Sequence, residues 1–295
     1  MTWGIGHHPT LPRPRPHTAA TAIRPTYGRP TTAPRPRPTS HAPDQEAGGR
    51  ETAGTAQAAV SQTEPPTPPA PTSVRPVNPE TPDFLHATRT SYDAIVGPYS
   101  DRHADHLADL PLDRSLLTGF AELVQATAPH PVADLGSGPG AVTARLHALG
   151  LPVFGIDISP RMVSLATRTY PELRFHVGSM TSLDLPDETL GGIAALYSVI
   201  HIPDDHLPTT FAEFHRVLIP GGHVLLAFQT GDDDGHERLT ERFGQEIALD
   251  YYWRTPDTVS DQLAKAGLDI RARVVREPHE DETRPRAFLL ARRPA

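Results

Sequence analysis

The stretch VADLGSGPGAV, residues 132–142, decides how the rest of the chain is read. Apolar residues run into Asp134, and three alternating glycines follow, Gly136, Gly138 and Gly140. This reads as a strand that ends where the backbone clears space for a ligand, because glycine has no Cβ and accepts left-handed φ values. The pattern Gly136-x-Gly138-x-x-Ala141 also satisfies the loose dinucleotide fingerprint. Two features point away from a pyrophosphate. Asp134 stands at the carboxyl end of the strand, where it repels phosphate and suits a ligand carrying an ammonium or sulfonium. No Arg or Lys lies in the loop or in the first turn after it, the nearest being Arg145. Asp157 closes the next apolar run about twenty residues after the glycines, where an acid can accept hydrogen bonds from ribose hydroxyls. Together these residues ask for a nucleoside with a cationic tail, and S-adenosylmethionine fits that description.

Outward from the loop, the apolar pattern alternates. PVADLG, PVFGID and LRFHVGS read as strands, as does the apolar run GGIAALYSVI, residues 191–200. AVTARLHAL, PRMVSLATRTY and DHLPTTFAEFHRVL, at 205–218, read as helices, the second opened by Ser159 as cap and Pro160 in the first turn. GGHVLLAFQ is a strand, PDTVSDQLAKAG a helix, and DIRARVV and RAFLLAR close the chain as an antiparallel pair at the sheet edge. The stretch between GGHVLLAFQ and PDTVSDQLAKAG reads as irregular. Ahead of the loop, residues 84–107 and 113–128 show helical spacing. Nearly all-apolar strands alternating with helices predict an α/β fold whose parallel sheet is covered on both faces.

VADLGSGPG, VFGIDISPRMV, FHVGSMTSLDLPDETLGG and FHRVLIPGGHVLLAFQ, in this order and spacing, resemble the successive motifs of class I S-adenosylmethionine-dependent methyltransferases. The resemblance covers residues ~90–293 and is carried by four motifs in register, against the weak signal of one. It implies a Rossmann-like, seven-stranded, mostly parallel sheet with an antiparallel C-terminal strand. It also implies roles. Gly136, Gly138 and Gly140 let the backbone approach the methionine moiety, and Asp134 holds its ammonium directly or through water. Asp157, followed by Ile158, binds the ribose diol, and Ser179 and Met180 flank the adenine. Tyr99 lines the cleft and Arg102 meets the methionine carboxylate. The family often has Asp where this chain has Ser179; serine accepts the adenine amino group without charge assistance, and Asp184 is the alternative partner.

The totals bound the rest. The 295 residues include 34 prolines, 37% are hydrophobic, and the formal net charge is -8. About half of the prolines fall in residues 1–80, with Thr, Ala and Arg between them, which predicts a disordered, partly polyproline-II arm ahead of one folded domain over 84–295. The first forty residues of the arm hold Arg13, Arg15, Arg24, Arg29, Arg35 and Arg37 and no acid. They read as a tether for an anionic surface, a proline-motif ligand or a dispensable tail. Cysteine is absent, which excludes disulfides, thiol catalysis and zinc–thiolate sites. No apolar run reaches a membrane span, and the N-terminus lacks an apolar signal core, so a cytoplasmic protein is expected.

Acceptor chemistry lies outside the cofactor motifs, at YSVIHIPDD and QTGDDDGHE after the fourth and fifth strands of the parallel run. No Asn/Asp-Pro-Pro signature of amide or adenine methylation stands there. His201 is the base candidate, since an imidazole of ordinary pKa ~6.5 takes a proton from a phenol or enol near neutrality. A capping or packing histidine is the competing reading, and His236 is the weaker candidate. Asp232, Asp233 and Asp234 read either as Mg²⁺ ligands or as a solvated loop or helix cap; no metal is expected. Tyr92, Tyr99 and Arg102 on one side and Phe243, Tyr251, Tyr252 and Trp253 on the other suit walls for a flat organic acceptor, or simple packing. The expected reaction is methyl transfer from S-adenosylmethionine to oxygen or nitrogen of a small-molecule metabolite. Its competitors are nucleic-acid or protein methylation guided by the basic arm, and cofactor binding without catalysis. The folded region carries no dense basic stripe, so neither a nucleic-acid partner nor a membrane is expected.

Overall fold

Leu85, Thr88, Ser91 and Ile95 recur at three- and four-residue spacing and form the buried face of α1 (Asp83–His103). The structure, a computed structural model, describes residues 82–103, 106–127, 129–279 and 282–295; the arm expected over 1–80 lies outside them. The first helix stops at His103, short of the expected residue 107, and a 3₁₀ turn, His106–Asp109, leads into α2 (Pro111–Gln125).

The expected alternation follows as β1 (Val132–Leu135), α3 (Ala141–Ala148), β2 (Val153–Asp157), α4 (Pro160–Thr169) and β3 (Arg174–Val177). Ser159 caps α4 by accepting the Met162 N–H at 3.0 Å, with Pro160 in the first turn. Next come β4 (Leu190–Leu196), α5 (Leu207–Val217) and β5 (Leu218–Gln229). Every residue of β1, β2 and β4 is buried, as a sheet covered on both faces requires. Phe211 and Phe214 of α5 fill one face and Phe120 of α2 the other; burying each such ring contributes roughly 1.5–3 kcal/mol.

After α6 (Pro256–Lys265), β8 (Asp269–Arg276) and β9 (Arg286–Arg292) complete a seven-stranded sheet in the order β3-β2-β1-β4-β5-β9-β8. β9 runs antiparallel to both neighbours. Strand order reverses between β1 and β4, so the ligand crevice belongs at the carboxyl ends of these two strands.

Two segments depart from the sequence expectation. β4 ends at Leu196 instead of running to Ile200, because Tyr197 takes a φ of 53° and turns the chain into a 3₁₀ turn, Val199–His201. A left-handed tyrosine is a strained choice, and it is held from outside: its hydroxyl donates to Oδ2 of buried Asp113 at 3.0 Å, and Arg276 donates to Oδ1 at 3.1 Å. Where an irregular stretch was expected, β6 (Gly235–Arg242) and β7 (Gln245–Trp253) form an antiparallel hairpin. Its turn is Phe243 and Gly244, both at positive φ (55° and 71°), the backbone that matches the twist of the flanking strands.

Candidate active site

A cavity opens over the switch point, with about 710 Å³ of empty space, part of it open to solvent. Gly136 and Gly138 form its floor, with φ of 76° and 51°. A Cβ at Gly136 would lie 2.3 Å from Cβ of Ser198, so this glycine is required by contact as well as by φ. Ser198 is fixed there by donating to the Leu135 carbonyl at 2.7 Å. Gly140 faces elsewhere: a Cβ on it would strike the Phe175 ring at 2.8 Å, and it is not in the lining. It serves helix packing rather than ligand approach.

Asp157 is 8% exposed and lines the cavity. Its Oδ2 accepts the Gly138 N–H and its Oδ1 the Ser159 N–H, each at 2.8 Å, which leaves a lone pair on each oxygen for a ligand. Burial pushes this carboxyl up to about 6 against those two bonds. Ile158, Ser179 and Met180 also line the cavity. The Ser179 hydroxyl accepts the Thr181 N–H at 3.2 Å and pairs with the Thr181 hydroxyl at 2.8 Å. Asp184 is exposed and outside the lining.

Asp134 sits beneath the loop, 2% exposed, and accepts the Thr143 hydroxyl at 2.6 Å. It is not part of the lining, so any contact with a ligand runs through an intermediary. Burial pushes it up to about 7, with Thr143 opposing. Two buried carboxyls held above their ordinary range are poised to ionise when a cation arrives. Arg102, in the last turn of α1, is exposed and outside the lining.

α1 roofs the other end. Asp93 ties it to the cofactor strands by accepting from the Ser159 hydroxyl at 2.6 Å and the Arg161 N–H at 3.2 Å. β7 backs the helix through Ile247 and Leu249 against Ile95, and the Ala248 N–H donates to Ser91 at 3.0 Å. Phe84, Leu85, Thr88, Tyr92 and Tyr99 thereby reach the cavity, opposite Tyr197, His201 and Ile202.

His201 is 5% exposed and both ring nitrogens are engaged. Nδ1 donates to the Asp250 carbonyl at 2.7 Å, a partner that can only accept. Nε2 therefore accepts, and its donor is the Tyr92 hydroxyl at 2.8 Å. Burial drives the imidazole down to about 4, so the expected titration near ~6.5 is displaced and the ring is neutral at physiological pH. Burial pushes the Tyr92 hydroxyl well above its usual range, with the neighbouring tyrosines adding and the Arg242 guanidinium opposing; Tyr99 is pushed to about 12 in the same way. Arg242 donates to the Tyr251 hydroxyl and lies 5.6 Å over the Tyr99 ring. Arg254, 3% exposed, ties the His201 turn to the end of β7 by donating to the Ile202 carbonyl at 2.5 Å and to Asp204 at 2.8 Å.

The hairpin aromatics pack rather than line. Tyr251 stands edge-on to His201, Tyr252 stacks on His236, Trp253 carries the Arg284 guanidinium 3.5 Å from its centroid, and Phe243 is exposed at the tip. His236 joins Arg238 in holding the Asp250 carboxylate. Asp234 accepts the Thr255 N–H and the Thr258 hydroxyl at the start of α6. Among the described residues no group of three or more His, Cys, Asp and Glu is placed to hold a metal. What the sequence missed is the pairing of Tyr92 with His201 and the support of both by Arg242 and Asp250; nothing local to those residues signals it.

Residues 132–222 match the model of a family described as a methyltransferase domain. This stretch is similar to a methyltransferase domain. The demethylmenaquinone methyltransferase of Chlorobaculum parvum is 29% identical over 139 residues, 45% of this chain and 56% of that protein. This chain thus spans about half the length of that curated relative. A solved S-adenosylmethionine-dependent methyltransferase of Methanosarcina mazei shares the fold at 18% identity with a TM-score of 0.52, over 56% of this chain and 92% of that one. The glycopeptide N-methyltransferase MtfA, solved with S-adenosylmethionine, shares it at 17% identity and a TM-score of 0.50, over 61% and 87%. The glycine end of the cavity lies on β1, β2 and the turn after β3, and no described helix is long and apolar enough to cross a membrane.

Proposed function

We propose that the protein transfers the methyl group of S-adenosylmethionine to oxygen or nitrogen of a small-molecule metabolite. The observation that carries this reading is one cavity with two chemistries: a glycine floor with a buried carboxylate at one end and an aromatic wall at the other. When bound, the cofactor supplies a methyl carbon made electrophilic by its sulfonium.

Gly136 and Gly138 admit the methionine chain, and Asp157 accepts from the ribose hydroxyls through its remaining lone pairs. Asp134 answers the ammonium through water. Ile158, Ser179 and Met180 flank the adenine, and Tyr99 closes the cleft above it. α1 and the turn after β4 exclude water and hold the acceptor against the methyl group, and proximity of this kind supplies much of the acceleration when the donor is already activated. His201 is the proton acceptor of this reading. A nucleic-acid or protein acceptor finds little support at this end, where no Arg or Lys among the described residues lines the cavity.

The test is a screen of metabolite extracts with methyl-labelled S-adenosylmethionine, on the full chain and on a variant lacking residues 1–80. Label in a small molecule with both proteins is the expected result. Label in RNA or protein, or its loss with the arm, overturns the small-molecule reading. Calorimetry with NAD in place of S-adenosylmethionine should show no binding.

A further inference from the structure

Tyr92 and His201, 109 positions apart, meet through a 2.8 Å hydrogen bond inside the cavity. Around them the walls are Phe84, Leu85, Thr88, Tyr197 and Ile202. Among the described residues Asp157, at the other end, is the only Asp, Glu, Lys or Arg in the lining. A carboxylate, phosphate or ammonium on the acceptor would meet no charged side chain in the described walls of this half, at the expense of its hydration. A flat neutral molecule meets aromatic faces instead. Nε2 of His201 is occupied by the Tyr92 hydroxyl, so an acceptor that uses this pair engages it through Oη of Tyr92. Behind it the Arg242 guanidinium bonds Tyr251, whose ring lies against His201.

We propose that the acceptor is a phenol or enol, and that Tyr92 takes its proton while passing its own to His201. This deepens the methyl-transfer reading and rests on it. The acceptor O–H bond breaks and its proton bonds to Oη of Tyr92. The Tyr92 O–H bond breaks and that proton bonds to Nε2 of His201. The electron pair freed on the acceptor oxygen bonds to the donated methyl carbon, and the pair of the methyl–sulfur bond returns to sulfur. One positive charge arrives on the sulfonium and one remains on the imidazolium. The imidazolium then returns its proton through Tyr92 to water, because a buried ring favours the neutral form. The Nδ1–H stays on the Asp250 carbonyl throughout, fixing the tautomer. Arg242 stabilises the negative character that develops on the Tyr92 oxygen during the relay.

The test compares wild type with Tyr92→Phe, which keeps the ring packed edge-on to Tyr99 and removes only the hydroxyl. Phenol, 2-naphthol, 4-chlorophenol and 4-nitrophenol serve as acceptors of graded acidity, with benzylamine as the nitrogen control, at a pH where 4-nitrophenol is ionised. The variant should bind S-adenosylmethionine as wild type does in calorimetry. It should turn over phenol and 2-naphthol about 100-fold more slowly, and the deficit should shrink with acceptor acidity and nearly vanish for 4-nitrophenol. A merely structural role predicts equal loss for every phenol. Equal loss, or none, overturns the relay. Methylation of benzylamine alone, or of no probe by a wild type that binds the cofactor, overturns the acceptor class. Failure to bind S-adenosylmethionine breaks the methyl-transfer reading itself. Histidine ¹⁵N spectra read the pair without turnover: His201 should show a protonated Nδ1 and an Nε2 shift that changes in Tyr92→Phe, and an unchanged shift counts against the relay. Should Tyr92→Phe not fold, the same acidity series on His201→Gln decides.

Discussion

The end of the cavity proposed for the cofactor draws on residues 136–180, a continuous piece of two strands, β2 and β3, and the turns around them, and its key contacts tie Asp157 to Gly138 and Ser159, and Ser159 to Met162. The acceptor end draws Tyr92 from α1, His201 from the turn after β4, and Arg242 and Asp250 from the β6–β7 hairpin. The first is specified locally, by left-handed glycines and backbone N–H groups that no side chain can replace. The second is specified by tertiary packing, and its groups owe their chemistry to burial. The difference teaches where each end is fragile: the cofactor end to changes of backbone, the acceptor end to changes far along the chain.

The largest effect should come from the backbone. Gly136→Ala combines a φ of 76° with a Cβ placed 2.3 Å from Ser198. We expect a stability loss of about 2–5 kcal/mol and no measurable cofactor binding, read by thermal melts and calorimetry. A variant that melts and binds as wild type does would show that the floor is not locally specified.

Asp157→Ala removes charged acceptors from the ribose and should weaken cofactor binding by about 1.5–3 kcal/mol. It should leave the His201 ¹⁵N spectrum unchanged. A changed spectrum would mean that the two ends are not independent.

How much of this is legible in the sequence follows the same division. The alternation of elements, the antiparallel close, the cap at Ser159 and the glycine floor are visible because each is written in adjacent residues. The hairpin is not, since β6 reads GHERLTER and places charges on both faces, half of them stacked on aromatics or on Asp250 rather than alternating with apolar residues. Its turn signal, Phe243-Gly244, lacks the Asn or Asp that usually marks such a turn. The end of β4 is hidden because the apolar run continues through Val199 and Ile200 after Tyr197 has turned the chain. His201 is visible as a residue, while its displaced titration is not, because burial arises only once α1 and β7 close over it.

Acid separates the ends further. In the unliganded protein Asp157 and Asp134 are raised to about 6 and about 7, so the native state holds protons that the unfolded state has lost. Their contribution is fully present below the unfolded carboxylate range and disappears as pH rises through those values. His201 is lowered to about 4, so its contribution is fully present above ~6.5 and disappears as pH falls toward 4. His201→Gln should therefore lose less stability than wild type between pH 7 and pH 4.5, by about 1–2 kcal/mol, while Asp157→Asn should lose more. Melts across that range decide it, and parallel curves for the three proteins would remove the distinction.

The smallest effect is at the adenine end. Ser179→Asp should tighten cofactor binding by about 0.5–1 kcal/mol if the serine faces the adenine amino group, since a charged acceptor replaces a neutral one. Calorimetry showing weaker binding would place the adenine against other residues.

The hairpin has a consequence for how this protein can change. β6–β7 lies outside the seven-stranded sheet, between β5 and α6, yet the Asp250 carbonyl sets the His201 tautomer, Arg242 tunes the tyrosines and Arg254 just beyond it holds the His201 turn. An insertion of this kind can be lengthened, shortened or exchanged without touching the strands that hold the cofactor. Recombination between relatives would therefore transplant acceptor preference as one cassette only when the hairpin travels with the turn at 197–204 and the first helix. Swapping the hairpin alone would remove Arg242 from the Tyr251 hydroxyl and return a carbonyl to the Nδ1–H of His201 only where the new β7 keeps its register.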